Sequence, residues 1–299
     1  MGAATWLLGV SLWVAAAGPP GPLAFTRPFV AVNQIPATLR TGDGRAITVL
    51  DARDAKAHRR AHLPGAVHID WTDYRRGWLR EGRLPADLQE LADDLAKLGV
   101  DDRRPVLVCG AAERGWGEEG RVAWMLRYLG HRDVAILDGG CRAWSRAGRL
   151  MVRGSATVRK GSFKAKVDKA LRVELDAVKA ALAGPEKERP QFLDVRRREE
   201  YDGETPYFAA RGGHVPAARH LYWKDLIDGT TGRVRSREAV RARAEAAGLD
   251  LSRPIFTYCT GGVRSAHAAL VLRAAGLDAR NYDGSWWEYA AEDELPVAR

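Results

Sequence analysis

The chain has 299 residues, of which 46% are hydrophobic and 28% charged, and this composition excludes a disordered protein. At roughly 100–200 residues per domain, the length predicts two domains. The net charge of +9 comes from basic residues scattered among acidic ones. That distribution favours an arginine-rich surface and the steering of small anions over the binding of nucleic acid.

The N-terminal segment differs from the rest of the chain. Residues 3–17 are nearly all apolar, and a Gly/Pro-rich stretch follows at residues 18–22. This run is too short for an ordinary membrane span but fits the apolar core of a signal peptide, and the alanines at 15–17 fit a cleavage site. We therefore treat residues 1–27 as a candidate export signal, which predicts a periplasmic or otherwise exported protein. An uncleaved anchor, or a cytoplasmic protein with a misplaced start codon, is the alternative.

The remaining chain contains an internal repeat. Each copy has an Asp-x-Arg triplet, a His-x-Pro turn, an apolar run that stops at a cysteine, and a helical stretch closed by glycine. These features fall in the first and second copies at Asp51 and Asp194, His62 and His214, Cys109 and Cys259, and Gly130 and Gly276. The spacing indicates a longer excursion before His214 in the second copy and a longer loop after Cys109 in the first.

Short apolar strands alternate with helical stretches in both copies, which predicts an α/β fold with two mostly parallel sheets flanked by helices. We expect a first domain at residues 28–150, a linker at 151–161 and a second domain at 162–299. Ligands of such sheets bind beyond the carboxyl ends of the strands. Asp51, Asp194, Cys109 and Cys259 all fall at such ends.

The residues after Cys259 carry the strongest functional signal. Two glycines, Gly261 and Gly262, allow the backbone to curl and to direct its N–H groups inward, and the following helix adds partial positive charge. Ser265 is expected to cap that helix, and Arg264 to add a full charge near the rim of the loop. A thiol in this position should have a lowered pKa. A merely buried Cys259 would leave the loop unexplained.

Taken together, these features resemble the rhodanese family of thiosulfate and mercaptopyruvate sulfurtransferases, over residues 29–299. The resemblance implies two tandem rhodanese-like domains and ping-pong sulfur transfer from a small anionic donor to a thiol or cyanide acceptor. Cys259 would be the catalytic nucleophile that carries the persulfide. Arg196 matches the family's substrate-binding arginine, and an ion pair with Asp194 is its alternative role. The resemblance places the other substrate-binding residues in the loop: Thr260, Gly261, Gly262, Val263 and Arg264.

The length and residues of this loop bear on the donor. Four residues separate Cys259 from Arg264, whereas related phosphatases and arsenate reductases have five, and the smaller ring suits a sulfur atom. Gly261 replaces the serine usual in mercaptopyruvate enzymes, and Asp202 stands where those enzymes add an arginine. Arg264 resembles the arginine of several bacterial thiosulfate enzymes. Thiosulfate is therefore the predicted donor; 3-mercaptopyruvate, or a non-enzymatic sulfur-carrier or binding module, remains the alternative.

The first copy is predicted to be inactive. Counting back from Gly130 places Glu118 at the position of Arg264, and the acidic pair Glu118-Glu119 would repel anionic donors. The chain has three cysteines without short-spaced pairs, which argues against a disulfide framework or a zinc site. Cys109 is left with at most a minor redox role, and Cys141 with packing. No nucleotide, metal or flavin motif is present, so we expect no cofactor, and we expect a monomer.

Overall fold

The protein is built from two α/β units with the same strand order. A computed structural model describes residues 24–77, 81–185 and 187–299. The apolar segment at residues 3–17, on which the expected export signal depends, lies outside the described residues. Within the described ranges, no helix has both the length and the apolar character required to cross a bilayer.

Each unit has a five-stranded sheet in which all strand pairs are parallel. The strands of the first sheet are β1 (Phe29–Val30), β2 (Thr48–Asp51), β3 (Val67–His68), β4 (Val106–Cys109) and β5 (Val134–Leu137), in the order β1-β5-β4-β2-β3. Those of the second are β6 (Arg172–Val173), β7 (Gln191–Asp194), β8 (Arg219–His220), β9 (Ile255–Tyr258) and β10 (Ala279–Tyr282), in the order β6-β10-β9-β7-β8.

Helices connect the strands and cover both faces of each sheet, as parallel strands require. In the first unit they are α1 (Ala55–Arg60), α2 (Leu88–Lys97), α3 (Glu118–Tyr128) and α4 (Gly140–Arg146). In the second unit they are α5 (Leu175–Ala183), α6 (Arg198–Tyr201), α7 (Arg237–Ala246), α8 (Val263–Ala274) and α9 (Ser285–Tyr289). The predicted α/β fold with two repeated units is confirmed.

The central strands explain why each copy folds this way. All four residues of β4 are buried, and alternate side chains point to opposite faces of the sheet. Val106 and Val108 therefore join the core cluster on one face, whereas Leu107 and Cys109 join the cluster on the other. In the second unit, β9 is also fully buried. Its last residue, Tyr258, pairs with Asp194 at the carboxyl edge of the sheet, so Cys259 begins the loop at that edge.

The two units meet through equivalent helices. Helix α3 of the first unit packs against α8 of the second in the most extensive helix–helix contact of the described chain. The approach is close at Gly120, where a Cβ would overlap the backbone and side chain of His267. Ala266 and Leu270 of α8 belong to the same core cluster as α3. Because apolar residues of the second unit complete the core of the first, the two units share one interface.

The segment between the units is tied to the first. Val152 exchanges backbone hydrogen bonds with His62, at 2.8 and 2.9 Å between nitrogen and oxygen. Phe163 and Leu171 are buried in the core cluster of the first unit. The second sheet begins directly after this segment, at Arg172. Residues 163–171 therefore pack with the first unit although they lie on the second-domain side of the predicted linker.

Candidate active site

The candidate active site is the loop between β9 and α8, which carries Cys259. The thiol is almost fully buried, with 1% of the residue exposed. Gly262 adopts φ +77° and precedes the first residue of the helix, Val263. A Cβ at Gly261 would overlap the ring of Trp287, and one at Gly262 would overlap the backbone of Asp283. Both glycines are therefore required for the loop to lie this close to the segment that follows β10.

Ser285 fixes the position of the loop, a role that the sequence did not indicate. Its hydroxyl accepts the N–H of Cys259 at 3.1 Å and donates to the carbonyl of Tyr282 at 2.7 Å. The carbonyl of Cys259 accepts the N–H of Trp286 at 2.9 Å. Ser285 holds φ +53°, a region that non-glycine residues adopt mainly where surrounding contacts enforce it. The backbone of the nucleophile is thus held on both sides.

The surroundings of Cys259 favour its thiolate. Burial raises the pKa of the Cys259 thiol, but the positive charge of Arg264, the Ser265 hydroxyl and the backbone N–H groups of Ser265 and Gly261 outweigh burial, so the pKa lies below its ordinary value. The hydroxyl of Ser265 donates to Sγ at 3.5 Å. The prediction that Ser265 caps α8 is wrong. Gly262 occupies the cap position, and Ser265, already in the helix, points to the thiol.

Arg264 is buried, with 5% exposed, so the prediction that it lies near the rim is wrong. It is drawn inward by Glu200 of α6, whose two carboxylate oxygens accept from the guanidinium at 2.6 and 2.7 Å. Thr260 closes the network: its hydroxyl donates to Glu200 at 2.6 Å and accepts from Arg264 at 2.6 Å. Burial raises the pKa of Glu200, but Arg264 and Thr260 lower it below its ordinary value. Glu200 was missed by the sequence reasoning, since nothing distinguishes it locally from Glu199.

Arg196 is committed to a structural ion pair. Its guanidinium donates to both oxygens of Asp194, and it also donates to the carbonyl of Gly213 at 2.7 Å. The side chain is 1% exposed and lies over the ring of Trp286 at 4.7 Å. Of the two roles considered for Arg196, the structure displays the pairing with Asp194. Its guanidinium is enclosed and is not presented at the surface of the loop.

Residues of the first unit, Arg121 and Trp116 among them, reach the candidate active site. Arg121 of α3 donates to the carbonyl of Gly262 at 3.4 Å, and its guanidinium is 1% exposed. Trp116 lies 5.4 Å from the guanidinium carbon of Arg264, measured to the ring centroid. Trp116 belongs to the longer loop that the repeat spacing located after Cys109. The first unit therefore contributes side chains to the site although it lacks the nucleophile loop.

The corresponding site of the first unit holds a disulfide. Cys109 and Cys141 are bonded, with 5.4 Å between their Cα atoms, a separation that suits such a bond. The expectation that the cysteines form no disulfide is therefore wrong, and Cys141 does more than pack. The spacing rule failed because β4 and the start of α4 are neighbours in space. Cys259 is the free cysteine of the chain.

Glu119, one of the acidic pair, lies at this first-unit site against Gly110, the residue that follows Cys109. Burial and the negative charge of Glu118 raise the pKa of Glu119 to about 8, so the carboxyl is mostly protonated at neutral pH. Ligand atoms of Asp51, Cys109 and Cys141 lie within 4.8 Å of one another. The two sulfurs are already bonded, and Asp51 is paired with Arg53 at 2.6 Å. These donors are therefore occupied by one another rather than arranged around an ion.

A cavity of about 460 Å³ lies between the two units, and Cys259 is not among the residues that line it. It is lined by Arg83 and Tyr128 of the first unit and by Arg172 and Asp283 of the second, among other residues. Arg172 donates to Asp283 at 2.9 Å within it. Its walls carry both signs of charge already paired with each other, so the chemistry of the thiol, and not cavity size, locates the candidate active site.

Comparison with known proteins agrees with this geometry. The model of the rhodanese-like domain matches the chain twice, over residues 37–147 and 177–292. Since these matches cover more than half of the chain, the protein belongs to the rhodanese family. Its fold is shared with the crystal structure of the 3-mercaptopyruvate sulfurtransferase SseA from Escherichia coli. That comparison has a TM-score of 0.74 at 24% identity, over 87% of this chain and 99% of the other.

Curated relatives within the family differ in their named activities. Thiosulfate sulfurtransferase of Bos taurus is 31% identical, covering 88% of this chain and 92% of the relative. 3-Mercaptopyruvate sulfurtransferase of Homo sapiens is 29% identical, covering 82% and 86%. Sulfur carrier protein TtuD of Thermus thermophilus is 29% identical, covering 80% and 85%. These relatives support a sulfurtransferase and leave the donor to be argued from this chain's own residues.

Proposed function

We propose that the protein transfers a sulfane sulfur from thiosulfate to a thiol or cyanide through a persulfide on Cys259. The observation that carries this proposal is a buried thiol whose pKa lies below its ordinary value inside a loop of converging hydrogen-bond donors. A thiolate is the nucleophilic form of cysteine. The same donors suit the negative charge that the outer sulfur of a persulfide would carry.

The reaction consists of two balanced displacements. In the first, the Cys259 thiolate attacks the outer sulfur of thiosulfate, the sulfur–sulfur bond of the donor breaks, and sulfite leaves with the bonding electron pair. In the second, cyanide or a thiolate attacks the outer sulfur of the persulfide, and the Cys259 thiolate is regenerated as thiocyanate or an acceptor persulfide departs. No net oxidant or reductant is consumed, and the enzyme holds one negative charge on sulfur in both resting forms.

The choice of thiosulfate rests on the residues around the loop. Gly261 leaves no hydroxyl at the third loop position, and its Cα lies against the ring of Trp287. Glu200 places a carboxylate beside Thr260 and Arg264, which disfavours a second carboxylate near that point. Asp202, which stands where mercaptopyruvate enzymes carry an arginine, adds a further carboxylate at the end of α6. 3-Mercaptopyruvate is the second candidate donor, because relatives of both activities match the chain about equally well.

The decisive experiment follows thiocyanate from thiosulfate and cyanide, with 3-mercaptopyruvate as a parallel donor. We expect Cys259→Ser to abolish turnover. We expect the double variant Cys109→Ala/Cys141→Ala, which removes the other two cysteines, to retain it. A persulfide adds about 32 Da, one sulfur atom, to the Cys259 peptide. Turnover with mercaptopyruvate alone would overturn the donor assignment. A stable adduct without turnover would favour a sulfur carrier, and absence of both would refute sulfur transfer.

We also propose that the protein is exported. The Cys109–Cys141 disulfide supports this location, because such bonds persist in oxidising compartments and are rare in the cytosol. The apolar residues 3–17 are the matching sequence feature. N-terminal sequencing of the protein from fractionated cells tests the proposal. A periplasmic protein that begins after residue 17 agrees with it, and an intact N-terminus in the cytosolic fraction contradicts it.

A further inference from the structure

The arginines expected to bind the donor are already occupied. Arg264 gives its two terminal nitrogens to Glu200 and also bonds Thr260. Arg196 is enclosed by Asp194 and the carbonyl of Gly213. The positive charge of Arg264 therefore stabilises the thiolate, but the Glu200 carboxylate already neutralises this charge in the absence of a ligand. A dianionic donor needs positive charge that is not balanced in this way.

Two cations beside the loop meet that requirement. Arg197 is exposed and Lys224 half-buried, and in the ranges that the structure describes neither has a carboxylate within ion-pair distance. The backbone N–H of Arg197 donates at 3.2 Å to the carboxylate of Glu200 that holds Arg264. Lys224 is fixed by a bond from Nζ to the carbonyl of Glu113 at 2.8 Å. The backbone of Arg197 is thus held beside Glu200, and the Lys224 ammonium is held against the first-unit loop.

Trp116 connects these cations to the site. Its ring centroid lies 5.6 Å from the guanidinium carbon of Arg197 and 5.4 Å from that of Arg264. The side chain is nevertheless 47% exposed, which is unusual for so large an apolar group. Cation–π contacts of this one indole with both guanidinium groups fix the position of each relative to the ring. The site is therefore bordered by an exposed indole that contacts two cations.

The charges around Lys224 favour the binding of an anion beside it. Burial lowers the pKa of Lys224, and the positive charge of Arg197 lowers it further, although Glu113 and Glu118 act in the opposite direction. Glu113 is itself paired with Arg142 at 2.7 Å, and Glu118 accepts the N–H of Trp116 at 2.8 Å. The like charges of Arg197 and Lys224 therefore repel each other, and an anion bound between them would reduce that repulsion.

We propose that Arg197 and Lys224 bind the oxyanion end of the sulfur donor, with the exposed ring of Trp116 as the wall of this binding position. This inference rests on the proposed function and assigns its donor-binding residues. The sequence predicted Arg196 as the donor-binding arginine. In this proposal its neighbour Arg197 binds the donor instead. The planar guanidinium suits a sulfonate or carboxylate, and the lysine adds a compact charge. The first unit shapes donor specificity through Trp116.

The neighbouring residue supplies a matched control. Arg198 is exposed like Arg197 but is paired with Asp202 at 2.8 Å and lies over the ring of Tyr201. Arg197→Gln and Arg198→Gln remove the same charge one position apart. We expect Arg197→Gln to lower kcat/KM for thiosulfate about tenfold, the value of one charge-assisted hydrogen bond. The kcat/KM for the neutral acceptor dithiothreitol should not change in this variant, because only the second displacement determines that constant.

A second readout does not depend on sulfur transfer. Iodoacetate and iodoacetamide alkylate the same Cys259 thiolate, but only iodoacetate carries a carboxylate. The ratio of their rate constants reports anion binding beside the thiol and is insensitive to the pKa of Cys259. We expect this ratio to fall about tenfold in Arg197→Gln, to fall also in Lys224→Gln, and to stay unchanged in Arg198→Gln.

The outcomes separate the two proposals. A ratio that falls equally in Arg197→Gln and Arg198→Gln shows a general surface field and overturns the binding position. An unchanged ratio in Arg197→Gln also overturns it, even if thiosulfate turnover is intact. A ratio that falls selectively while both sulfur donors fail to react supports the anion position and refutes the proposed function.

Discussion

Removing either member of the buried Arg264–Glu200 pair should destabilise the protein, and removing both should restore most of the stability but not the reactivity. Arg264→Met leaves the Glu200 carboxylate buried with only Thr260 and a backbone N–H as donors. Glu200→Gln leaves the Arg264 guanidinium facing a neutral amide. The double variant replaces the pair by uncharged side chains of similar volume.

The magnitude follows from the burial of both groups. The side chains are 6% and 1% exposed and meet at 2.6 Å. Loss of one partner from such a pair costs about 3–5 kcal/mol, whereas replacement of both is often close to neutral. We therefore expect the free energy of unfolding to fall by about 3 kcal/mol or more in Arg264→Met, by somewhat less in Glu200→Gln, and by about 1 kcal/mol in the double variant.

Reactivity separates the variants in a different order. The charge of Arg264 lowers the pKa of Cys259, so its removal raises that pKa, and the thiolate fraction below the pKa falls tenfold for each unit. The pH midpoint of iodoacetamide alkylation should therefore rise in Arg264→Met and in the double variant. It should fall in Glu200→Gln, which removes a nearby negative charge. The double variant would be stable but slow at neutral pH.

Urea unfolding and the alkylation pH profile measure the two effects on the same samples. Stability losses that add within about 0.5 kcal/mol would mean that the two residues do not interact energetically. An alkylation midpoint that stays in place in Arg264→Met would mean that the arginine does not lower the pKa of the thiol. The first result would refute the stabilising role of the ion pair, and the second would refute its effect on the reactivity of Cys259.

Three further predictions concern the first unit and the interface. Protein purified without reductant and then unfolded should show one reactive thiol, and three only after reduction; three without reductant would exclude the disulfide. Since burial raises the pKa of Glu119 from 4.5 to about 8, the native state binds that proton more tightly than the unfolded chain. The free energy of unfolding should therefore fall between these pH values, by at most about 1.4 kcal/mol per unit. Glu119→Gln should flatten that slope in urea titrations, and equal slopes would contradict the assignment. Gly120→Ala places a Cβ against His267 and should cost about 1–3 kcal/mol. Gly229→Ala, which meets no neighbour, should change stability by less than about 0.5 kcal/mol.

The parts of this molecule that the sequence predicted are those encoded by neighbouring residues. Apolar runs such as Val106–Cys109 and the glycines after Cys259 determine strand, turn and helix within a short window. Repetition of the same order of features then indicated two similar sheets. For the same reason the thiol at a strand end, followed by a helix N-terminus, could be recognised from residues 258–267 alone.

The contacts that were missed join residues distant in sequence. Glu200 and Arg264 are 64 positions apart, and Cys109 and Cys141 are 32 apart. Contact between these residues depends on which strands are neighbours in the sheet and on how deeply each loop is buried. Local sequence periodicity predicts neither. Arg264 was expected near the rim because its partner was unknown. An arginine is predicted to lie at the surface unless the buried carboxylate that pairs with it is known.

The packing of α3 on α8 brings together the same helix of the two copies, related by the spacing of Gly130 and Gly276. Such self-complementary contact is what a twofold symmetric dimer uses. Here the two halves are covalently joined, so their association does not depend on protein concentration. Symmetry would force both halves to be identical, whereas one chain allows them to diverge. The second half presents its cysteine as a free thiol, whereas the first half bonds the equivalent cysteine in a disulfide and contributes Trp116 and Arg121 to the site of the second.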